Sequence, residues 1–155
     1  MNLSRNFSYD ELVYSEAAVR RGIPNIPDAH QLVNMKILCE MVLEPVRTLL
    51  GDRRILVSSG FRCPEVNAII GGSRTSQHML GQAADFSVEG VAVPDVVWAI
   101  LESQIPFDQV INEFGRWIHV SHREKPRRQG LAAFKNDAGE TEYQSIQPIK
   151  REVVS

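Results

Sequence analysis

The decapeptide SQHMLGQAAD, residues 76–85, lies where the chain changes from mainly predicted helices to mainly predicted strands. It supplies one imidazole, His78, and one carboxylate, Asp85, seven positions later. That spacing also suits one face of a helix, but Gly81 and the polar stretch before it favour a loop that enters a buried strand at Ala83. In this arrangement we expect Asp85 to point into a cleft at the start of the strand.

Capping signals predict two short helices near the N-terminus. Ser8 and Glu11 form a capping-box pattern that opens a helix through Tyr14. A second helix over residues 15–21 is expected to stop at Gly22, because glycine readily adopts the left-handed conformation of a helix end.

The longest predicted helix follows a stripe of apolar residues from about 29 to 50. Pro45 lies within it and is expected to kink or break it near residues 41–44. A strand over 55–58 and a helix over 64–70 come next.

Alternating apolar and polar residues predict most of the strands in the second half of the chain. The elements predicted there are a strand over 83–88, a helix over 94–103, strands over 109–112 and 117–121, and a hairpin of 131–134 with 142–146. Helices that precede strands in this way indicate an α+β fold.

Composition narrows the possible functions. The chain has 155 residues, which fits one domain, and its net charge of -2 gives no basic footprint for a nucleic-acid partner. The short basic run over 123–128 is expected to be a solvated loop. Two cysteines, Cys39 and Cys63, do not form a disulfide framework and indicate a reducing compartment. We expect no signal peptide and no membrane span, and nothing in the sequence sets the oligomeric state.

A second group of polar residues follows in EFGRWIHVSH, residues 113–122. Strand alternation places Trp117 and His119 on one face of the second strand. A tight turn between the two strands brings Glu113 to the same end of the expected cleft. His122 falls on the opposite face or beyond the strand, as an alternative ligand, a supporting group or a surface residue. Asp108 is a weaker rival to Glu113 as a general base.

Two imidazoles, one ligating carboxylate and one spare carboxylate are the parts of a catalytic zinc site. Such a site has three protein ligands, an open position for water and a base beside it. The grouping of His78, Asp85, Glu113 and His119 therefore favours a zinc hydrolase.

These residues carry a resemblance to the zinc D-alanyl-D-alanine carboxypeptidase family, in the branch found among phage and bacterial cell-wall peptidases. SQHMLGQAAD matches the family motif S-x-H-x-x-G-x-A-x-D. The similarity extends over most of the chain, through NFSYDELVYSEAAVRRGIPN, VLEPVRTLLG, ILVSSGFRCPEVNAIIGGSRTSQHMLGQAADF and WIHVSH. It implies a single zinc peptidase domain over residues 1–155. The implied fold has helices packed on a small antiparallel sheet that carries the metal, and is shared with the signalling domain of hedgehog proteins.

The resemblance also implies roles for individual residues. The implied ligands of one Zn²⁺ are His78, Asp85 and His119. Glu113 matches the general base and acid, and Arg62 matches an arginine that faces the substrate, where it can polarise the scissile carbonyl. Ser76 is placed to hydrogen-bond the substrate or a metal ligand. Trp117 stands where several relatives have a histidine, and we expect it to wall the cleft and hold a peptide stem.

The implied substrate is the peptide stem of peptidoglycan. The family's namesake activity, removal of a terminal D-alanine, is the first expectation, and cleavage between L-alanine and D-glutamate, as in phage lysins, is the alternative. A binding module that keeps zinc without activity is a third possibility, against which Glu113 argues. Without a signal peptide, the protein is expected to be made in the cytoplasm of a phage or prophage host and to reach the wall after lysis or virion delivery.

Overall fold

The computed structural model describes residues 1–148, so residues 149–155 of the predicted domain lie outside the described part. The N-terminal half contains α1 (Tyr9–Val13), α2 (Glu16–Arg21), α3 (Ala29–Leu38), a π-helical segment (Cys39–Leu43), α4 (Glu44–Leu49), β1 (Ile55–Ser59) and α5 (Pro64–Ile69). The remainder contains a 3₁₀ turn (Gln77–Leu80), β2 (Ala83–Val88), α6 (Val93–Glu102), β3 (Gln109–Glu113), β4 (Trp117–Ser121), β5 (Gln129–Lys135) and β6 (Thr141–Ser145). This architecture is α+β, as predicted.

The ends of the first two helices follow the predicted signals. Ser8 Oγ accepts a hydrogen bond from the Glu11 N–H at 3.2 Å, and the Ser8 N–H donates to the Glu11 carboxylate at 3.3 Å. Gly22 ends α2 with a φ of 63°, which costs glycine little because it has no Cβ. Both helix boundaries are therefore set by local chemistry.

The α-helix is disturbed next to Pro45, where a kink or break was predicted, but the chain stays helical through this region. The chain widens into the π-helical segment, where the Glu44 N–H donates to the Cys39 carbonyl five residues back. Proline has no N–H to donate to the carbonyl four residues earlier, and the wider turn immediately before it accommodates that loss. Helical geometry then resumes through Leu49.

The six strands form one sheet in the order β1-β2-β4-β3-β5-β6. The expectation of an antiparallel sheet is wrong at one pair, because β3 and β5 are parallel. The segment 122–128 leaves β4 and crosses the start of β3, so β5 runs against β4 and therefore along β3. The other edge of β4 is already occupied by β2, which leaves the edge of β3 as the place where the C-terminal hairpin adds.

The two faces of this sheet differ in character. Most even-numbered residues of the central strands belong to the hydrophobic core, together with residues of α6. The strand residues include Ala84, Phe86, Val110, Ile118 and Val120. Odd-numbered residues lie on the opposite face. The registers Asp85↔His119 and Glu113↔Trp117 place residues of the predicted site side by side on that face, and the apolar Ile111 pairs with His119. Strand alternation thus separates the core from the face that carries the predicted site.

The basic run is an exposed loop, as expected, and it is also fixed to the fold by specific contacts. Arg127 and Arg123 pair with Asp108 at 2.8 and 3.0 Å. Arg128 donates to the Ser103 carbonyl at 2.8 Å and lies 4.5 Å from the centroid of the Phe107 ring. These contacts hold the crossing segment against the start of β3.

Two further predictions can be compared with the structure. Cys39 and Cys63 are both free thiols, as expected. Among the helices of residues 1–148, we find none with the length and apolar character that crossing a membrane requires.

Candidate functional site

His78 is fixed in the 3₁₀ turn that precedes β2. Its N–H donates to Ser76 Oγ at 3.2 Å, and its Nδ1 lies 2.7 Å from the Gly60 carbonyl oxygen. Because a carbonyl only accepts hydrogen bonds, Nδ1 carries the proton and Nε2 has a free lone pair. The ring is 3% exposed, and burial lowers the pKa of His78, which keeps the imidazole neutral and able to bind a metal.

Asp85 lies opposite His119 in the β2–β4 register, and its two carboxylate oxygens have different partners. Oδ1 is 3.0 Å from His119 Nδ1 and 3.3 Å from His78 Nε2. Oδ2 accepts a hydrogen bond from Arg62 Nη2 at 3.0 Å. Burial alone would raise the pKa of Asp85, but its two neighbouring imidazoles, His119 and His78, hold it well below its usual range.

These three side chains fit a zinc ion. One nitrogen from each histidine and one oxygen of Asp85 all lie within 4.8 Å of one another. Two imidazole nitrogens and one carboxylate oxygen are ligands that Zn²⁺ takes in catalytic sites. The Gly60 carbonyl behind His78 and the Arg62 guanidinium behind Asp85 supply the outer hydrogen bonds that orient such ligands.

Glu113 ends β3 on the same face of the sheet, opposite Trp117. It is half-buried, and burial raises its pKa, with the nearby Asp85 acting in the same direction and His119 and Arg62 opposing it. A carboxylate whose pKa is raised in this way is better matched to proton transfer near neutral pH than a solvated one.

Arg62 has contacts with the predicted metal site as well as a place in the cleft. It lines the cleft, but its Nη2 binds Asp85 and its Nε donates to Ser59 Oγ at 3.0 Å. The guanidinium therefore holds a predicted ligand in position. Ser76 likewise lines the cleft while its hydroxyl accepts from the His78 backbone.

The remaining predicted residues divide between the cleft and its surroundings. Trp117 lines the cleft and contacts Phe114 edge to face, with ring centroids 6.0 Å apart. His122 is half-buried and does not belong to the group of converging donors. Asp108 is fully buried and accepts hydrogen bonds from Arg127 and Gln77, which rules it out as a solvent-facing base.

Sequence reasoning missed two sets of residues. Gly60 is one: a Cβ there would lie 2.3 Å from the Leu12 carbonyl oxygen, so only glycine lets these backbones meet behind His78. The other set is the part of the cleft contributed by the C-terminal hairpin, through Lys135, Thr141 and Tyr143. The predicted hairpin was visible in the sequence, but its position beside β3 was not.

Comparison with known proteins agrees with this geometry. The family model described as Peptidase M15 matches residues 5–121. A relative named "Zinc D-Ala-D-Ala carboxypeptidase", from Streptomyces albus G, is 44% identical over 43 residues. That match covers 28% of this chain and 17% of the relative, so the chain matches only a small part of that protein's length.

Proposed function

The chain belongs to the peptidase M15 family and is a zinc metallopeptidase; from this premise we propose that it hydrolyses an amide bond in the peptide stem of peptidoglycan. The observation that carries the proposal is the convergence of two imidazole nitrogens and one carboxylate oxygen, within 4.8 Å of one another, in a cleft that also contains Glu113. Removal of a terminal D-alanine is the reaction that the resemblance and the name of the relative favour.

His78, Asp85 and His119 are the residues that would hold the metal. A bound Zn²⁺ supplies Lewis acidity and makes water a nucleophile at neutral pH. The protein's own contribution begins with orientation: the Gly60 carbonyl keeps Nε2 of His78 unprotonated, and Arg62 occupies Oδ2 of Asp85 so that Oδ1 faces the histidines.

Glu113 is the proton carrier in this proposal. Its carboxylate takes a proton from the attacking water, and the same proton is delivered to the amine that leaves when the amide bond breaks. Glu113 is suited to both steps because its raised pKa reduces the free-energy difference between its protonated and ionised forms near neutral pH. A protein that only bound zinc and a ligand would have no use for a half-buried carboxylate at this position.

The fold that we propose is the one shared with hedgehog signalling domains, in which a sheet carries the metal. Its support here is the placement of Asp85 on β2 and His119 on the neighbouring β4, with helices packed on the other side of the sheet.

The test is mass spectrometry of purified muropeptides incubated with zinc-loaded protein, beside a sample treated with a chelator. We expect zinc-dependent loss of a terminal D-alanine. Cleavage between L-alanine and D-glutamate would identify an endopeptidase instead, and intact muropeptides in both samples would refute the proposed reaction.

Glu113→Gln should abolish turnover while the zinc content, measured by atomic absorption, stays at the level of the unmodified protein. Glu124→Gln is the matched control, since Glu124 is exposed and outside the cleft. Full activity in Glu113→Gln would remove this residue from the mechanism.

A further inference from the structure

The cleft extends beyond the part of the chain that the family model matches. The matched residues end at 121, whereas the cleft is also lined by Arg127 and by three residues of the β5–β6 hairpin: Lys135, Thr141 and Tyr143. We name those three hairpin residues the hairpin wall. A wall built from a segment outside the family match is a place where this chain's own specificity can reside.

Sheet register places the hairpin wall next to the proposed proton carrier. Glu113 is paired with Ala133 on β5, and Ala133 is paired with Tyr143 on β6, so these side chains share one face of the sheet. Ala133, which lies between them on β5, has no bulky side chain to separate Tyr143 from Glu113. Tyr143 is 57% exposed, so its ring forms part of the open surface of the cleft.

Lys135 lies two residues beyond Ala133 on β5, on the same face of the sheet, and is paired with Thr141 on β6. Adjacent strands are about 4.8 Å apart and alternate residues about 6.7 Å apart, which puts the backbones of Lys135 and Glu113 about 8 Å from each other. A substrate group a few bonds from the scissile amide therefore lies within reach of the lysine side chain.

The ammonium group of Lys135 is held in place without being neutralised. Its Nζ donates to Thr141 Oγ1 at 2.7 Å and lies 5.4 Å from the centroid of the Phe114 ring. Among residues 1–148 it has no carboxylate partner, whereas the other two permanent cations of the cleft are paired, Arg62 with Asp85 and Arg127 with Asp108. An oriented, unpaired ammonium on a substrate cleft is suited to bind an anion.

We propose that the hairpin wall is a subsite for a carboxylate of the substrate, with Lys135 as the residue that binds it. This inference rests on the proposed function, because stem peptides supply the carboxylates. Two sources share this chemistry: the C-terminal carboxylate, next to the bond cut by a carboxypeptidase, and the α-carboxylate of D-glutamate, next to the bond cut by an endopeptidase. Tyr143 forms the neighbouring surface against which the peptide packs.

The test uses three synthetic stem peptides: one with both carboxylates free, one amidated at the C-terminus and one amidated at D-glutamate. We expect Lys135→Met to lower kcat/KM about tenfold on the free peptide. On the peptide whose bound carboxylate is amidated, the same substitution should change kcat/KM less than about twofold, which identifies the carboxylate. Lys135→Arg should retain most of the activity.

Lys36→Met is the matched control, because Lys36 is exposed on α3 and does not line the cleft. It should leave kcat/KM unchanged on all three peptides. Calorimetric binding of the same peptides to zinc-loaded Glu113→Gln protein, with and without Lys135→Met, reports on recognition without turnover.

A protein that cleaves the peptides but loses activity equally on all three after Lys135→Met, or on none, overturns this inference and leaves the proposed function intact. A protein that cleaves no stem peptide refutes the proposed function, and the proposed carboxylate subsite is then refuted as well. Circular dichroism of Lys135→Met excludes misfolding as the cause of any loss.

Discussion

Replacing Asp108 by asparagine should lower the free energy of unfolding by about 2–3 kcal/mol. Asp108 precedes β3 at the point where the segment 122–128 crosses that strand, and it is fully buried. Its oxygens accept from Nε and Nη2 of Arg127 at 3.1 and 2.8 Å and from Nε2 of Gln77 at 3.0 Å, while Nε of Arg123 lies 3.0 Å away.

The magnitude follows from what asparagine cannot do. The side chain of asparagine has one acceptor oxygen and no charge, so donors that met a carboxylate oxygen now meet an amide NH₂. Removing one partner of a buried ion pair costs about 3–5 kcal/mol. The side chains of Arg123 and Arg127 are 44% and 46% exposed, so water compensates part of the loss, and the expected cost falls below that range, to about 2–3 kcal/mol.

Urea unfolding followed by far-ultraviolet circular dichroism measures this loss. With a dependence on urea of about 2 kcal/mol per molar, the midpoint should fall by about 1–1.5 M. Asp52→Asn is the matched control: Asp52 pairs with Arg47, but its side chain is 78% exposed, and the midpoint should stay close to that of the unmodified protein. Equal midpoints for the two variants would refute the assignment of Asp108 as the residue that anchors the crossing.

Three further outcomes are expected. Gly60→Ala should weaken zinc binding by about tenfold or more, measured by competition with a fluorescent chelator, because the new Cβ would collide with the Leu12 carbonyl and displace the oxygen that orients His78. Burial alone would raise the pKa of Asp108, but hydrogen bonds from Arg127 hold it below its usual range. The stabilisation by Asp108 should therefore be fully present above its unfolded pKa of about 3.9 and be lost as the pH falls through its folded pKa. Urea unfolding between pH 3 and 6 should show the free energy of unfolding decreasing toward low pH. This decrease should be smaller in Asp108→Asn. Trp117→Ala should raise KM several-fold with little change in Tm, because the ring is half-buried on the cleft, and an unchanged KM would remove it from the substrate surface.

Local chemistry made much of the fold predictable. Ser8, Glu11 and Gly22 mark helix ends because their side chains or backbone satisfy terminal groups within a few residues. The bounds of β2 and β4 match the prediction because alternation of apolar and polar residues is itself a local pattern. The π-helical segment before Pro45 was not predicted, since several helical geometries accommodate a missing N–H.

Contacts between distant parts of the chain were harder to predict. The site's main residues came from a motif, yet nothing local shows that Gly60 lies behind His78. Asp108 looked like a rival base because sequence separation does not reveal that arginines from a later segment cover it. The parallel placement of β5 depends on which strand edge remains free after β2, β3 and β4 have paired, and that is a property of the whole sheet.

The division of the sheet into odd and even faces has a consequence for how this chain tolerates change in length. Inserting or deleting one residue within β3 would turn Asn112 to the cleft face of the sheet and Glu113 to the opposite face, because a one-residue slip reverses every side chain beyond it. Substitutions at odd positions that line the cleft, other than the predicted ligands Asp85 and His119 and the proposed proton carrier Glu113, alter what the cleft recognises and leave the apolar layer beneath it as it was. Lineages that diverge from this sequence should therefore vary in length at the turns 114–116 and 136–140, and vary in residue type, but not in number, along the strands.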